Sequence, residues 1–376
     1  DIFDRGKEPD KIIDDLIKYK RVDIQWGNHD ILWMGAYLGN LACIMTVVKN
    51  CLKYRNIDLL EKSYGIPLRI LMMHASQCYP DINYLEAMEK LVMKILNKLE
   101  TRLINNYPQW QMTYRVSHPD TQPLDKMELF IIDDLKKSFA SSKRLKKHIK
   151  FIYEHGSLYL KTNHNLLLHG CVPLDEKGDF YIHDCFGQKL AGRKYFDEVD
   201  HKIHQAFNDP QPEIIDYFWY LWCGKKSPLC GRKIVLDDPQ EEVKDPYYHY
   251  INDEKICLKI LSEFNLHDPV SMIINGHTPV KVKDGENPLK GNNHCVVIDG
   301  GFCLQYQGKT GVAGYTLISN SHGMRLKTHL INQEYSFNIN NDMEYDSQII
   351  YTRQIQELIK DTKKGLEISE RIEDLN

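Results

Sequence analysis

Apolar positions in PDKIIDDLIKYK (9–20) fall at helical spacing, with Ile12, Ile13, Leu16 and Ile17 on one face and Pro9 suited to a first turn. RVDIQW (21–26) then reads as a short strand running into GNHD, and ILWMGAYLGNLACIMTVVKNCLKY (31–54) as one long apolar helix. A strand end, loop, helix, strand and loop in that order make one parallel crossover. Residues 56–155 change character. In NYLEAMEKLVMKILNKLETRLI, Leu85, Met88, Leu91, Val92, Ile95, Leu99 and Leu103 recur at helical spacing, so a helical insertion is expected, shaping a cleft or a subunit contact.

From residue 164 short apolar runs closed by Gly, His or Asp take over: HNLLLHG, GDFYIHD, SMIINGHTP, HCVVIDGG, AGYTLIS and GMRLKTHLI. They predict buried central strands with loops at their carboxyl ends. Residues 345–376 read as closing amphipathic helices. The predicted organisation is an α/β core from 1–55 and 156–345, an insertion at 56–155 and a C-terminal helical segment at 346–376.

Composition narrows the function classes. A net charge of −4 on 376 residues gives no global basic field for nucleic acid, and no run approaches the length of a membrane span. The ten cysteines form no C-x-x-C pair and read as buried apolar residues in a reducing compartment, hence the cytoplasm. His155, His164, His183, His267, His294 and His329 read as core residues rather than ligands.

Four motifs carry chemistry: D-x-x-D-R-G at 1–6, G-N-H-D at 27–30, L-H-G at 168–170 and G-H-T-P at 276–279. Each of the last three closes an apolar run, the edge where an open α/β sheet builds its sites. Asp1, Asn28, His169 and His277 then supply a carboxylate, an amide oxygen and two imidazoles. That oxygen and nitrogen set, without thiolate, suits Mn²⁺, Fe²⁺ or Zn²⁺. Arg5 offers a planar fork for a phosphate, His29 a general acid, and Asp4 a carboxylate to orient His29.

These motifs resemble those of the calcineurin-like metallophosphoesterases, whose centre combines D-x-H, G-D-x-x-D-R, G-N-H-[DE], a lone strand-end His and a G-H motif. IQWGNHDILWMGA (24–36), FWYLWCGKKSPLCGR (218–232), INGHTPVKVKDGENPLKGNNHCVVIDGGFC (274–303) and YQGKTGVAGYTLISNS (306–321) further resemble the class III fructose-1,6-bisphosphatases of Gram-positive bacteria. The resemblance implies two mixed sheets flanked by helices, a binuclear Mn²⁺ site and a gluconeogenic role. It also implies hydrolysis of fructose 1,6-bisphosphate by a metal-bound hydroxide. Asp1 becomes the bridging ligand, Asn28, His169 and His277 complete the second metal, Asp4 and His29 form the acid dyad, and Arg5 clamps the phosphate.

The sequence opens inside G-D-x-x-D-R, so the D-x-H strand is expected upstream, and residues 1–376 alone are expected to hold half of the centre and to be inactive. For the phosphate that is not cleaved, the candidates are Lys225, Lys226 and Arg232, then Lys281 and Lys283, with Ser227 and Lys309 behind them. A protein serine/threonine phosphatase, a dinucleotide polyphosphate hydrolase and a non-catalytic metabolite-binding protein are the rival readings. The partner expected is a small sugar bisphosphate, not nucleic acid or membrane, with homo-oligomerisation left open.

Overall fold

The computed structural model describes residues 1–19, 21–236, 243–330 and 345–374. The chain is mixed α/β and forms two compact units, Asp1–Leu158 with His169–Tyr248, and Tyr159–Leu168 with His249–Asn376.

The first unit is mainly helical: α1 (Pro9–Leu16), α2 (Asn28–Tyr37), α3 (Leu41–Lys53), α4 (Arg69–Cys78), α5 (Tyr84–Asn106), α6 (Lys126–Ser141), α7 (Lys143–His155), α8 (Gly192–Asn208) and α9 (Pro212–Cys223). Every residue of α2 from Asn28 to Ala36 is buried, as expected of a helix apolar on all sides. It packs against α3, α7 and α9. Gly35 permits the approach: a Cβ there would lie 2.8 Å from Phe218 Cβ and 2.9 Å from Cys43 Sγ.

The single helix expected over 31–54 is broken. Gly39 turns the chain at φ +91°, and Asn40 caps α3 by accepting the Cys43 N–H at 2.8 Å while donating to Asp216 at 2.9 Å. The apolar pattern runs through this break because both helices are buried.

The helical expectation for 56–155 matches α4 to α7. On α5, Met88, Leu91, Val92, Ile95, Leu99 and Leu103 are buried, whereas Leu85 stays partly exposed in the first turn. The buried Glu128 carboxylate anchors α6 to α5 through Lys94 and Lys98 at 2.9 and 2.8 Å. RVDIQW contributes only Ile24–Gln25 as strand, paired in parallel with Gly156–Ser157. A Cβ on Gly156 would meet Trp26 Nε1 at 1.9 Å, so this pairing needs glycine.

The second unit holds a five-stranded mixed sheet and a three-stranded antiparallel one. With strands β1 (Tyr159–Thr162), β2 (Asn165–Leu168), β3 (Ile273–Asn275), β4 (Leu289–Lys290) and β5 (Cys295–Val297), the first runs in the order β4-β5-β3-β2-β1. Its centre is parallel, with Ile273 beside both Leu166 and Cys295. The second sheet is β6 (Ala313–Asn320), β7 (Gly323–Leu330) and β8 (Tyr345–Thr352). Met272, Ile274 and Val296 from one sheet and Met324 and Leu326 from the other form a common core.

Several expectations change here. AGYTLIS and GMRLKTHL form a hairpin with one solvated face, Ile318 being 39% exposed, rather than buried central strands. GDFYIHD yields a bridge at Phe180 and a small hairpin from His183. Tyr345–Thr352 is a strand, paired antiparallel with β7 through a register irregularity, and helix in this segment is confined to one 3-10 turn at Ile359–Asp361 and to Lys363–Glu373. Ile331, Leu375 and Asn376, assigned to the expected terminal elements, lie outside the described residues. Of the six histidines read as core, only His183 is buried, stacked on Tyr195 at 3.6 Å; the others are partly or fully exposed. No described helix is long and apolar enough to cross a membrane. The ten cysteines are free, eight of them buried.

Candidate active site

In the first unit the DIFDRG and GNHD segments fold against one another through Asp30. Its fully buried carboxylate accepts the Phe3 N–H at 3.1 Å with one oxygen and the Gly27 N–H at 2.9 Å with the other. Phe3 is buried and stacks on Trp33 of α2 at 4.6 Å, which pins the opening loop to the central helix. Gly27 brings the loops closest: a Cβ there would fall 1.7 Å from Asp1 Oδ1. The GNHD motif thus supplies two positioning residues that sequence reading passed over. The signal was a strand followed by Gly-x-x-Asp, in which the N3 carboxylate of Asp30 reaches back to the N-cap N–H of Gly27 at the start of α2.

Asp1 Oδ1 accepts the backbone N–H of His29 at 3.0 Å, and its Oδ2 lies 3.3 Å from His169 Nε2. Ligand atoms at about 2.1 Å from one cation sit about 3 Å apart when they subtend a right angle. Asn28 begins α2 with only 5% exposure. Its amide nitrogen donates to the Trp222 carbonyl at 3.4 Å, which orients the side chain. The buried Asn28 Oδ1 has no hydrogen-bond partner among the described residues. A buried acceptor left unpaired is rare and costs free energy unless something else fills it. A divalent cation fits this orphaned oxygen beside a carboxylate and an imidazole.

His169 follows directly on β2 and is 7% exposed. Gly170 and Cys171 dock on the turn after α9: the Cys171 N–H donates to Pro228 O at 2.8 Å, and a Cβ on Gly170 would meet that oxygen at 2.5 Å. His277 belongs to the second unit, two residues beyond β3, with φ +65° in the left-handed region. That conformation is uncommon for a residue with a side chain and costs on the order of 1 kcal/mol.

Asp4 and His29 form a close pair, with Oδ1 to Nε2 at 2.9 Å. Burial alone would push the Asp4 carboxyl up, but the charge and hydrogen bond of His29, with Arg5 nearby, bring it down to about 2. Trp222 packs edge-on against the His29 ring at 4.8 Å. The Arg5 guanidinium lies 3.7 Å from Asp4 Oδ1 and 5.1 Å from the centre of the Tyr54 ring. Asp1, Asp4, Arg5, Asn28, His29 and His169 are therefore neighbours in one unit.

The basic candidates separate. Lys226 is engaged internally by Asp245 at 2.8 Å and by the Leu174 carbonyl. Lys225 lies over the Tyr114 ring at 5.9 Å, and Arg232 over Tyr248 at 5.9 Å. Ser227 is buried and holds the turn, donating to Leu221 O and accepting from the Leu229 N–H. Lys281, Lys283 and Lys309 are exposed in the second unit.

A carboxylate, an orphaned amide oxygen and an imidazole thus lie in one unit with an Asp–His pair and an arginine. The family model described as "Firmicute fructose-1,6-bisphosphatase" matches residues 1–118 and 115–376, and the chain belongs to that family. It is 37% identical over 436 aligned residues to the class 3 fructose-1,6-bisphosphatase of Fusobacterium nucleatum, covering 100% of this chain and 67% of the relative. Proteins of that name from Clostridium beijerinckii and Clostridium botulinum are each 38% identical, with 66% of their length covered. The chain thus spans about two thirds of the length of the curated relatives it matches. No solved structure matches it.

Proposed function

We propose that this protein hydrolyses the 1-phosphate of fructose 1,6-bisphosphate, giving fructose 6-phosphate and phosphate in gluconeogenesis in the cytoplasm. The observation that carries the reading is the Asp4–His29 pair at 2.9 Å, next to Asn28 with its unpartnered oxygen. Family membership supports the substrate, and ten free cysteines support a reducing compartment. The two sheets sharing a core in the second unit support a calcineurin-like sandwich.

Asp1, Asn28 and His169 would hold a divalent cation, for which we propose Mn²⁺, and the G-H motif puts forward His277 as a further ligand. When bound, such a cation polarises phosphoryl oxygens and activates water for in-line attack. The chain's own side chains do the rest. Arg5 presents a planar fork to the equatorial oxygens of the transferring group. His29, held at Nε2 by Asp4, delivers a proton from its other ring nitrogen to the departing sugar alkoxide. Asp4 remains ionised and stabilises the imidazolium before transfer. Trp222 walls one edge of the ring from water.

The test is phosphate release by the full-length protein with Mn²⁺ from fructose 1,6-bisphosphate, phosphopeptides and dinucleotide polyphosphates. Selective turnover of the sugar bisphosphate is expected. Release from phosphopeptides or dinucleotides without sugar bisphosphate turnover would overturn the assignment.

A further inference from the structure

The stretch of chain leaving α3 touches the DIFDRG loop at three points. Tyr64 tilts against Phe3 with ring centres 6.3 Å apart. Asn56 is buried and donates its amide N–H to the Gly6 carbonyl at 3.1 Å. The Arg5 guanidinium lies over the Tyr54 ring, 5.1 Å from its centre, and Lys53 Nζ shares that ring at 5.7 Å. Arg5 is thus held on both flanks along the chain: Asp4 before it is bound to His29 at 2.9 Å, and the Gly6 carbonyl after it is tied to Asn56.

The way α3 ends makes these contacts possible. The Asn56 N–H donates to Cys51 O at 2.7 Å and the Arg55 N–H to Leu52 O at 3.1 Å, the paired bonds of a Schellman turn. Such a turn places a left-handed residue just past the helix, a position usually given to glycine, and here Arg55 takes it at φ +54°. Tyr54 and Asn56, the two residues that flank this uncommon conformation, are the ones that meet Arg5 and Gly6.

We propose that Tyr54 is a positioning residue for the phosphate clamp: its ring holds the Arg5 guanidinium in place before substrate arrives, while Asn56 fixes the backbone from which Arg5 extends. The proposal rests on the reading of Arg5 as the group that binds the reacting phosphate. A guanidinium is drawn to the negative face of an aromatic ring, and stacking there leaves its N–H edge available for the oxygens of a phosphate. An arginine already stacked gives up less freedom on binding, so the ring adds to phosphate affinity without touching the phosphate.

The experiment uses the full-length protein with Mn²⁺ and two readouts: kcat/KM for fructose 1,6-bisphosphate and the Kd of inorganic phosphate. Tyr54→Leu should lower kcat/KM by roughly 3- to 30-fold and weaken phosphate by a similar factor, with metal content near wild type. Tyr54→Phe keeps the ring face and should recover most of the loss. In an Arg5→Ala background, Tyr54→Leu should shift neither readout by more than about two-fold, because the ring acts through the guanidinium. An undiminished loss in that background, or an equal loss in Lys53→Met, would overturn the assignment. Should Tyr54→Leu fail to fold, Asn56→Ala must show the same dependence on Arg5, and a loss independent of Arg5 is equally fatal. If the unsubstituted protein turns over no fructose 1,6-bisphosphate, the substrate reading alone fails and the phosphate Kd decides the role of Tyr54. Unchanged phosphate affinity in Arg5→Ala would sink the clamp and the Tyr54 role together.

Discussion

Gly27→Ala isolates the contact between the two loops that build the site. The backbone at this position, φ −87° and ψ 166°, accepts any side chain, so the substitution introduces no conformational strain. In open space, removing glycine's freedom would stabilise the protein by about 0.4–1 kcal/mol. Here the new methyl would lie 1.7 Å from Asp1 Oδ1 and 2.7 Å from Asp1 Cα, where real contacts begin near 3.0 Å. The carboxylate must therefore retreat by more than about 1 Å, enough to cost roughly 10²-fold in turnover. Overpacking should add about 1–3 kcal/mol of destabilisation, leaving a modest net loss. Steady-state phosphate release at saturating Mn²⁺, metal analysis of the same sample and a denaturant midpoint read the three consequences. Lower metal content and slow turnover in a folded protein are expected; wild-type turnover and full metal content would refute the geometry and with it the role of Asp1.

His29→Gln should cut turnover by roughly 10² while metal content stays near wild type, and loss of metal would make His29 a ligand instead. The Asp4 carboxyl, held at about 2 against an ordinary 3.8, binds its proton less readily when folded. Its contribution is therefore complete above about pH 4 and is lost as pH falls toward 2. Roughly 2 kcal/mol should disappear over that window in the metal-free protein and not in Asp4→Asn, as measured by denaturant unfolding across pH. Asp30→Asn places an amide where two backbone N–H groups donate, so a loss of about 2–3 kcal/mol and a weakened metal site are expected; an unchanged midpoint would discount its role in joining the loops.

The grouping of the candidate residues was partly legible in the sequence, because GNHD opens α2 and LHG and GHTP follow apolar runs, so that backbone geometry decides where their side chains lie. Asp4 and Arg5 are adjacent, but His29 comes to them from beyond α1 and a short strand, through the Asp30 and Phe3 contacts that join the two loops. What was not legible depends on distant chain. Trp222 reaches Asn28 across 194 positions, and no spacing rule announces it. The sequence candidates for the distal phosphate were chosen for lying in irregular segments, yet Lys226 is consumed by Asp245. The break within 31–54 had its own signal in Gly39 and the capping Asn40, masked by the apolar residues on both sides, and Tyr345–Thr352 gains its strand from pairing with β7, which no local spacing announces.

The bend at Gly39 and Asn40 acts as a hinge pin. Asn40 reads both sides of the turn, accepting from the Cys43 N–H and donating to Asp216, and so ties the junction of α2 and α3 to α9. Because α2 begins at Asn28 and His29, this elbow at its far end sets the bearing along which those two side chains are presented.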